Sequence, residues 1–271
     1  MKAVRLHSNA QSGATFATLD LPVLHREGPI DAEAYRRRAT GEDPPLVYHL
    51  DQSAGLRTIR FDSSGAGTDI GGLAGPTDHA LIIVVAGELA VTSGNGNEHF
   101  SRGDLLLLSE ETSQQATFNW TSGTMLLQLA VDASWPAASP AEKHGDTDTT
   151  EATAPNLKRL YRDANARSYF REFPELFAAP SGKWSMIKPV DGFRFMSFPD
   201  GGFIDWHPEI VNNLAIVLAG VTELEAADGA VEHFNPGDVC LAEDRTGEGH
   251  IDRFHGFSVL ALIEIATEHL W

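Results

Sequence analysis

The sequence has little cysteine, few basic residues and no long apolar run. Its single cysteine, Cys240, cannot form a disulfide within the chain, and its apolar neighbours predict a small buried side chain rather than a catalytic thiol. The 271 residues include 38 acidic and 20 basic side chains, for a formal net charge of −18. Binding to nucleic-acid phosphates or to an anionic membrane surface requires clustered Lys and Arg. We therefore expect neither a nucleic acid nor a membrane as partner.

Signals for export and for membrane insertion are also missing. No apolar stretch approaches the roughly 20 residues that span a bilayer. The first ten residues, MKAVRLHSNA, lack the apolar run and cleavage site of a signal peptide. The expectation is a cytoplasmic protein with a substantial core, since 42% of its residues are hydrophobic.

Helical periodicity is scarce. Only residues 30–39 and parts of 156–177 are predicted to be helical. Elsewhere, short apolar or alternating runs end at turn signals, such as Asp228-Gly229 between TELEAA and AVEHF. Many short strands at regular spacing predict an all-β sandwich or barrel.

An internal repeat runs through the chain. Three segments of the first half align without gaps with three of the second half, in the same order. They are VRLHSNAQSGATF (4–16) with KRLYRDANARSYF (158–170), VVAGELAV (84–91) with VLAGVTEL (217–224), and EHFSRGDLLLLSE (98–110) with EHFNPGDVCLAED (232–244). The conserved order indicates a duplicated domain.

The repeat sets the predicted domain boundaries. One domain is predicted over residues 1–135 and the other over 156–271. Residues 136–155 are rich in Ala, Pro, Thr and Asp without periodicity, which is typical of a linker.

Polar groups that bind metals or protons cluster in residues 203–209. Asp205, His207 and Glu209 are spaced two apart, which on a strand predicts one shared face. His250 follows the Gly-rich turn in TGEGH. We expect His207 and His250 to meet inside a small barrel, with Glu209 beside them.

Small residues next to this group predict a pocket. Ala215 and Val217 follow Asn213 on the inward face of the next apolar run, where their size leaves room for a ligand. Asp205 is expected near the barrel mouth. Arg253 follows His250 and is a candidate for holding a substrate carboxylate, although a surface salt bridge is the favoured explanation.

The second half resembles the cupin superfamily, and in particular its small single-domain members. The resemblance rests on the motifs Asp205–Pro208 (DWHP), Pro236–Asp238 (PGD) and Glu243–His250 (EDRTGEGH), in this order and spacing. It covers nearly all of 156–271 and extends to the first half through the repeat. It implies two tandem jelly-roll-like cupin barrels with a few short helices, and a homodimer.

The cupin metal motif is kept in part. The resemblance places its His-x-His on His207 and Glu209, its Glu on Asn213 and the His of its second motif on His250. Two of the four ligand positions therefore depart from the pattern. His207, Glu209 and His250 still form a set of two imidazoles and one carboxylate, which suits Fe, Mn, Ni or Zn.

In the first half, the matching positions carry no ligand set. They fall on Ala74, Pro76, Ala80 and Ala116. The sequence therefore predicts one candidate metal site, in the second half.

The resemblance to cupins leaves the activity open. One hypothesis is a metal-dependent enzyme (a dioxygenase, isomerase or decarboxylase) acting on a small polar or acidic metabolite. The alternative is a cupin that has lost its metal and binds a sugar or organic acid without catalysis. A purely structural role requires a pocket filled by its own side chains.

Overall fold

The fold is built almost entirely of strands. The computed structural model describes residues 1–9, 13–25, 33, 37, 50–68, 70, 79–94, 96–136 and 154–271. Its strands are β1 (Ala3–Asn9), β2 (Gly13–Thr18), β3 (Val23–His25), β4 (Ser53–Arg60), β5 (Gly65–Gly67), β6 (His79–Ala86), β7 (Leu89–Ser93), β8 (Gly96–Phe100), β9 (Leu105–Ser109), β10 (Ala116–Trp120), β11 (Met125–Val131), β12 (Leu157–Arg162), β13 (Ser168–Glu172), β14 (Gly192–Phe198), β15 (Phe203–His207), β16 (Asn213–Ala226), β17 (Val231–Phe234), β18 (Val239–Ala242) and β19 (His250–Glu264). The prediction of an all-β chain is confirmed.

Helices are short in the described part of the chain. Those whose bounds are described are α1 (Glu110–Gln114) and the 3-10 turns Pro174–Phe177 and Thr267–His269. Within the described residues, no helix has the length and hydrophobicity needed to cross a membrane.

The chain divides into two compact units. Unit 1 comprises Met1–Pro22, Gln52–Pro155 and Glu175–Val190; unit 2 comprises Val23–Asp51, Asn156–Pro174 and Asp191–Trp271. Each unit thus includes a segment from the other half of the sequence. The predicted ranges 1–135, 136–155 and 156–271 do not anticipate this exchange, and most of the predicted linker lies outside the described residues.

Unit 1 contains two sheets. One has the strand order β2-β1-β9-β6-β11-β4 and the other β5-β10-β7-β8. A continuous apolar core includes Leu6, Ile82, Leu106 and Phe118, all at most 1% exposed. Burial of this surface is the main favourable contribution to the fold.

Unit 2 forms one nine-stranded sheet. Its order is β13-β12-β18-β16-β19-β14-β3, with β15 pairing with β19 and β17 pairing with β16. The long strands β16 and β19 pair along their whole length, with register shifts near Val217 and Ala219. The hairpin predicted at Asp228-Gly229 is confirmed, since it joins β16 to β17.

The two units pair their strands in the same way at positions that the internal repeat matches. In unit 1, β1 runs parallel to β9 with Val4 opposite Leu106. In unit 2, β12 runs parallel to β18 with Lys158 opposite Cys240. Both pairs are those that the alignment of the two halves matches, so the repeat preserves the register of the sheet.

Of residues 156–177, parts of which are predicted to be helical, only the last four form a helical turn. This segment forms β12 and β13, followed by the single 3-10 turn Pro174–Phe177. Pairing of β12 with β18 satisfies its backbone in a sheet, and this tertiary context outweighs local helix propensity. In the predicted segment 30–39, the structure describes only Glu33 and Arg37, which are both helical.

Candidate functional site

Two buried histidines meet in unit 2, as the sequence predicts. His207 ends β15 and His250 begins β19, and the two residues are paired across these strands. Their ring centroids are 4.6 Å apart, and both residues are at most 2% exposed. Buried imidazoles this close require a shared polar partner.

That partner is Asp252, which the sequence analysis missed. Asp252 Oδ2 lies 3.5 Å from His207 Nε2, and Asp252 Oδ1 lies 3.6 Å from His250 Nε2. One ligand atom from each of the three residues falls within 4.8 Å of the others. We call His207, His250 and Asp252 the triad. Two imidazoles and one carboxylate around a common point form a donor set for a divalent transition metal.

Both histidine rings are oriented by hydrogen bonds from their other nitrogen. His207 Nδ1 donates to the backbone oxygen of Asp205 at 2.9 Å. His250 Nδ1 donates to Asp244 Oδ2 at 2.8 Å, and Asp244 is fully buried. With Nδ1 bonded to these partners, the Nε2 of each ring faces Asp252, which is the arrangement that partners of metal-bound histidines impose.

Electrostatics at the triad reflect burial among several carboxylates. Burial lowers the pKa of His250, but the charges of Asp244 and Asp252 outweigh this effect and raise it to about 10. Burial raises the pKa of Asp252 to about 6, against the opposing charge of His250. Burial also raises the pKa of Glu209 to about 7, and the charges of Asp244 and Asp252 add to this. The protein thus concentrates negative charge where a cation would relieve it.

Glu209 lies beside the triad and is not one of its three members. Strand β15 ends at His207, and Pro208 leads the chain away from the sheet. The Glu209 carboxylate accepts a hydrogen bond from Asn213 Nδ2 at 2.8 Å. Asn213 Oδ1 is buried without a hydrogen-bond partner among the described residues. Asn213 therefore keeps an oxygen available for a ligand or a water molecule.

Asp205 does not share a face with His207. The pairing of β15 with β19 shifts between Ile204, opposite Asp252, and His207, opposite His250. Three residues on β15 thus span two on β19, and this bulge breaks the alternation on which the prediction relied. The Asp205 side chain is exposed and accepts only from the Trp206 backbone N–H among the bonds resolved for it.

Arg253 also lies outside the cavity lining. It follows Asp252 directly on β19, so its side chain takes the opposite face of the strand. Its guanidinium pairs with Glu223 at 2.8 Å and with Glu225 at 2.6 Å. The structure therefore supports a salt bridge for Arg253 rather than a contact with a substrate carboxylate.

The triad opens into a cavity of about 200 Å³ enclosed by unit 2. The predicted pocket residues Asn213, Ala215 and Val217 all line it, together with His207, Glu209, His250 and Asp252. The wall also includes Phe198 and Phe254, stacked with ring centroids 3.9 Å apart. The cavity is therefore polar around the triad and apolar over most of its remaining wall.

Unit 1 lacks the triad at the matching positions. There, Ala116 corresponds to His250 and Phe118 to Asp252, and both are buried in the apolar core. Ala74 and Pro76, which match His207 and Glu209, lie outside the described residues. The described positions of unit 1 agree with a single candidate site in the chain.

Thr222 provides a prediction on stability. Its side chain is 4% exposed, and its hydroxyl has no hydrogen-bond partner among the described residues. Replacing it with Val keeps the shape and removes the unpaired polar group, so Thr222→Val is expected to raise the free energy of unfolding by about 1 kcal/mol. Urea denaturation of the metal-free protein measures this change, and a loss of stability would show that the hydroxyl is hydrogen-bonded.

Comparisons with known proteins show similarity at the level of fold. No protein-family model and no curated protein matches the chain. Among solved structures, a cupin 2 conserved barrel domain protein from Leptotrichia buccalis is 14% identical, with a TM-score of 0.35 over 78% of this chain and 82% of that one. A variant of oxalate decarboxylase from Bacillus subtilis is 12% identical, with a TM-score of 0.27 over 95% and 86%. A variant of salicylate 1,2-dioxygenase from Pseudoaminobacter salicylatoxidans is 12% identical, with a TM-score of 0.32 over 82% and 72%. Each of these TM-scores is below 0.5, so these similarities assign neither a family nor an activity to this chain.

Proposed function

We propose that unit 2 is a metal-dependent enzyme domain that binds a divalent transition metal at His207, His250 and Asp252 and acts on a small oxygenated metabolite. The observation that carries this proposal is the convergence of two oriented Nε2 atoms on one buried carboxylate. The reaction types that remain are dioxygenation, isomerisation and decarboxylation.

The donor set fits a transition metal better than calcium or magnesium. Imidazole nitrogens suit Fe, Mn, Ni and Zn, whereas Ca²⁺ and Mg²⁺ prefer oxygen ligands. Asp252 replaces Glu209 as the proposed carboxylate ligand, because it lies within reach of both histidines. Glu209 and Asn213 remain close enough to bind a water or substrate oxygen at the same site.

Charge balance supports a cation at this point. Three acidic side chains, Asp244, Asp252 and Glu209, lie near enough to His250 to raise its pKa. Burying carboxylates without compensating charge is costly. A bound divalent ion offsets this excess, and it would supply Lewis-acid polarisation of a substrate oxygen.

The chain's own side chains have separate roles in this proposal. Asp244 holds His250 in the required tautomer, and the backbone of Asp205 does the same for His207. Glu209 is placed to exchange a proton with substrate beside the triad, since a carboxyl group with a pKa of about 7 populates both forms at neutral pH. The apolar wall restricts water around the reacting group.

Metal content tests the proposal. Wild-type protein reconstituted with zinc and desalted is expected to retain about one equivalent of zinc, and His207→Ala to retain almost none, because the variant loses one of three ligands. His233→Ala is the matched control, since His233 is exposed and lies outside the triad. Zinc in the His207→Ala variant at the wild-type level would refute the site.

A protein that takes up none of Fe, Mn, Ni or Zn would favour the alternative of a non-catalytic binding protein. In that case, the cavity would be examined by ligand screening. The cytoplasmic location and the homodimer stay predictions. Light scattering measures the mass of the protein in solution and so tests the homodimer.

A further inference from the structure

The cavity of unit 2 exists because four core positions carry smaller residues than their counterparts in unit 1. The internal repeat matches Ala215 to Ile82, Thr222 to Leu89, Cys240 to Leu106 and Ala242 to Leu108. All four residues of unit 2 line the cavity. All four counterparts in unit 1 belong to its apolar core and are 0% exposed.

The pairing of strands confirms these correspondences independently of the alignment. Ala215 is opposite Cys240 on β16 and β18, and Ile82 is opposite Leu106 on β6 and β9. The same two-strand contact thus carries an Ala–Cys pair in one unit and an Ile–Leu pair in the other. Unit 1 shows how this fold packs when the space is filled by its own side chains.

The space left by these four smaller side chains is bordered by an apolar wall. Three of the four small residues are Ala or Cys, and their neighbours in the cavity include Met196, Phe254 and Leu260. A ligand rich in hydroxyl groups, such as a sugar, would leave most of them without partners on this wall, at a cost for each one. An apolar body would gain from burial there.

Arg194 does not determine the ligand's charge. It lines the cavity and forms a buried ion pair with Glu264. Its counterpart in unit 1 is Arg57 on β4. Arg57 likewise donates a hydrogen bond to a residue of the neighbouring strand, Gln128. An arginine at this position in a unit without the triad indicates a structural role.

We propose that the substrate carries a single apolar ring that occupies the space left by Ala215, Cys240 and Ala242, with its oxygen-bearing end at the triad. This inference rests on the proposed function for the position of the oxygen-bearing end, and on the cavity alone for the ring. The volume of about 200 Å³ is below the roughly 300–1,000 Å³ of sites for drug-sized ligands, so a single ring is the size that fits.

Three probes separate the ring from the oxygen-bearing end of the ligand. Benzoate has a carboxylate and a ring, acetate has a carboxylate alone, and toluene has a ring alone. Calorimetry on zinc-loaded wild-type protein is expected to show benzoate binding at least about tenfold tighter than acetate, because burying a ring contributes more than 1.4 kcal/mol. Toluene is expected to bind with or without zinc.

Two variants fill the cavity with residues that unit 1 already uses. Ala215→Ile and Ala242→Leu reproduce Ile82 and Leu108, so the fold tolerates these side chains at the matching positions. Each is expected to keep about one equivalent of zinc, to lose toluene binding and to reduce benzoate to the affinity of acetate. His233→Ala, which changes an exposed residue outside the cavity lining, is expected to behave like the wild type.

Each outcome bears on a different claim. Equal affinities for benzoate and acetate in the wild type, or unchanged benzoate binding in both filled variants, would overturn the apolar ring. Failure of the zinc-loaded protein to bind any probe would do the same. A wild type that binds toluene but no zinc would refute the metal site and leave the ring subsite standing.

Discussion

Asp252→Asn is expected to abolish tight zinc binding, lowering the affinity by more than about 100-fold. Asp252 is the one carboxylate of the triad, and its two oxygens face the two histidine Nε2 atoms at 3.5 and 3.6 Å. An amide keeps the shape but loses the charge and ligand strength. Loss of a partner that only orients a ligand already costs about 10–100-fold, so loss of a ligand should cost more. Competition with a chromophoric chelator measures the affinity.

Two controls make this result specific. Asp205→Asn removes an exposed carboxylate from the same site region and is expected to bind zinc like the wild type. Glu209→Gln is expected to retain zinc within about tenfold, because Glu209 contacts Asn213 rather than the triad. The reverse order, with Glu209→Gln defective and Asp252→Asn intact, would restore the ligand set expected from the sequence alone.

The metal-free Asp252→Asn protein is expected to be at least as stable as the wild type above pH 6. Burial raises the pKa of Asp252 to about 6 in the folded state, above its ordinary value, so the ionised carboxylate disfavours folding once the pH exceeds that pKa. Thermal denaturation with chelator present separates this effect from metal binding.

Gly249→Ala is expected to destabilise unit 2 by about 3 kcal/mol or more and to disrupt the triad. Gly249 has a φ of +79°, and a Cβ there would lie 2.1 Å from the backbone oxygen of His207. Both the backbone of a triad residue and the strand that begins at His250 would have to move. Strain of this kind adds to the conformational cost of a positive φ in a residue with a side chain.

Gly229→Ala is the matched control for this substitution. Gly229 has a φ of +87° in the β16–β17 hairpin, but nothing lies within 4 Å of a Cβ built there. Gly229→Ala should therefore lower the free energy of unfolding only by the conformational cost of a positive φ, about 1 kcal/mol. Equal destabilisation of the two variants in urea denaturation would contradict the close packing of Gly249 against His207.

The sequence was sufficient to predict the repeat and the pair of histidines. Three ordered matches between the halves imply that both halves have the same strand register. A one-residue slip would turn the apolar side chains of each strand toward solvent. His207 and His250 lie at the start or end of paired strands, where the motifs place them. The small residues Ala215 and Val217, predicted to face a pocket, line the cavity of unit 2.

The third member of the triad was missed because alternation was applied to the wrong strand. Asp205, His207 and Glu209 alternate in sequence, but a bulge lies before His207 and the strand ends there. His250 and Asp252 show the same spacing on the continuous strand β19, where alternation holds. The HID segment was thus the signal that could have identified Asp252.

The exchange of segments between the units left no signal of this kind. Strand β3 has only three residues, and its parallel pairing with β14 depends on tertiary contacts rather than on periodicity. Likewise, β12 and β13 contain charged residues that favour helix in isolation. The pairing of β12 with β13 on one side and with β18 on the other fixes them as strands.

The most direct test of the metal site is anomalous diffraction from crystals soaked in zinc, recorded on both sides of the zinc absorption edge. The account predicts one strong anomalous peak in unit 2, about 2.0–2.2 Å from His207 Nε2, His250 Nε2 and an Asp252 oxygen. Occupancy of zinc only at surface histidines, with no peak between these three side chains, would contradict it.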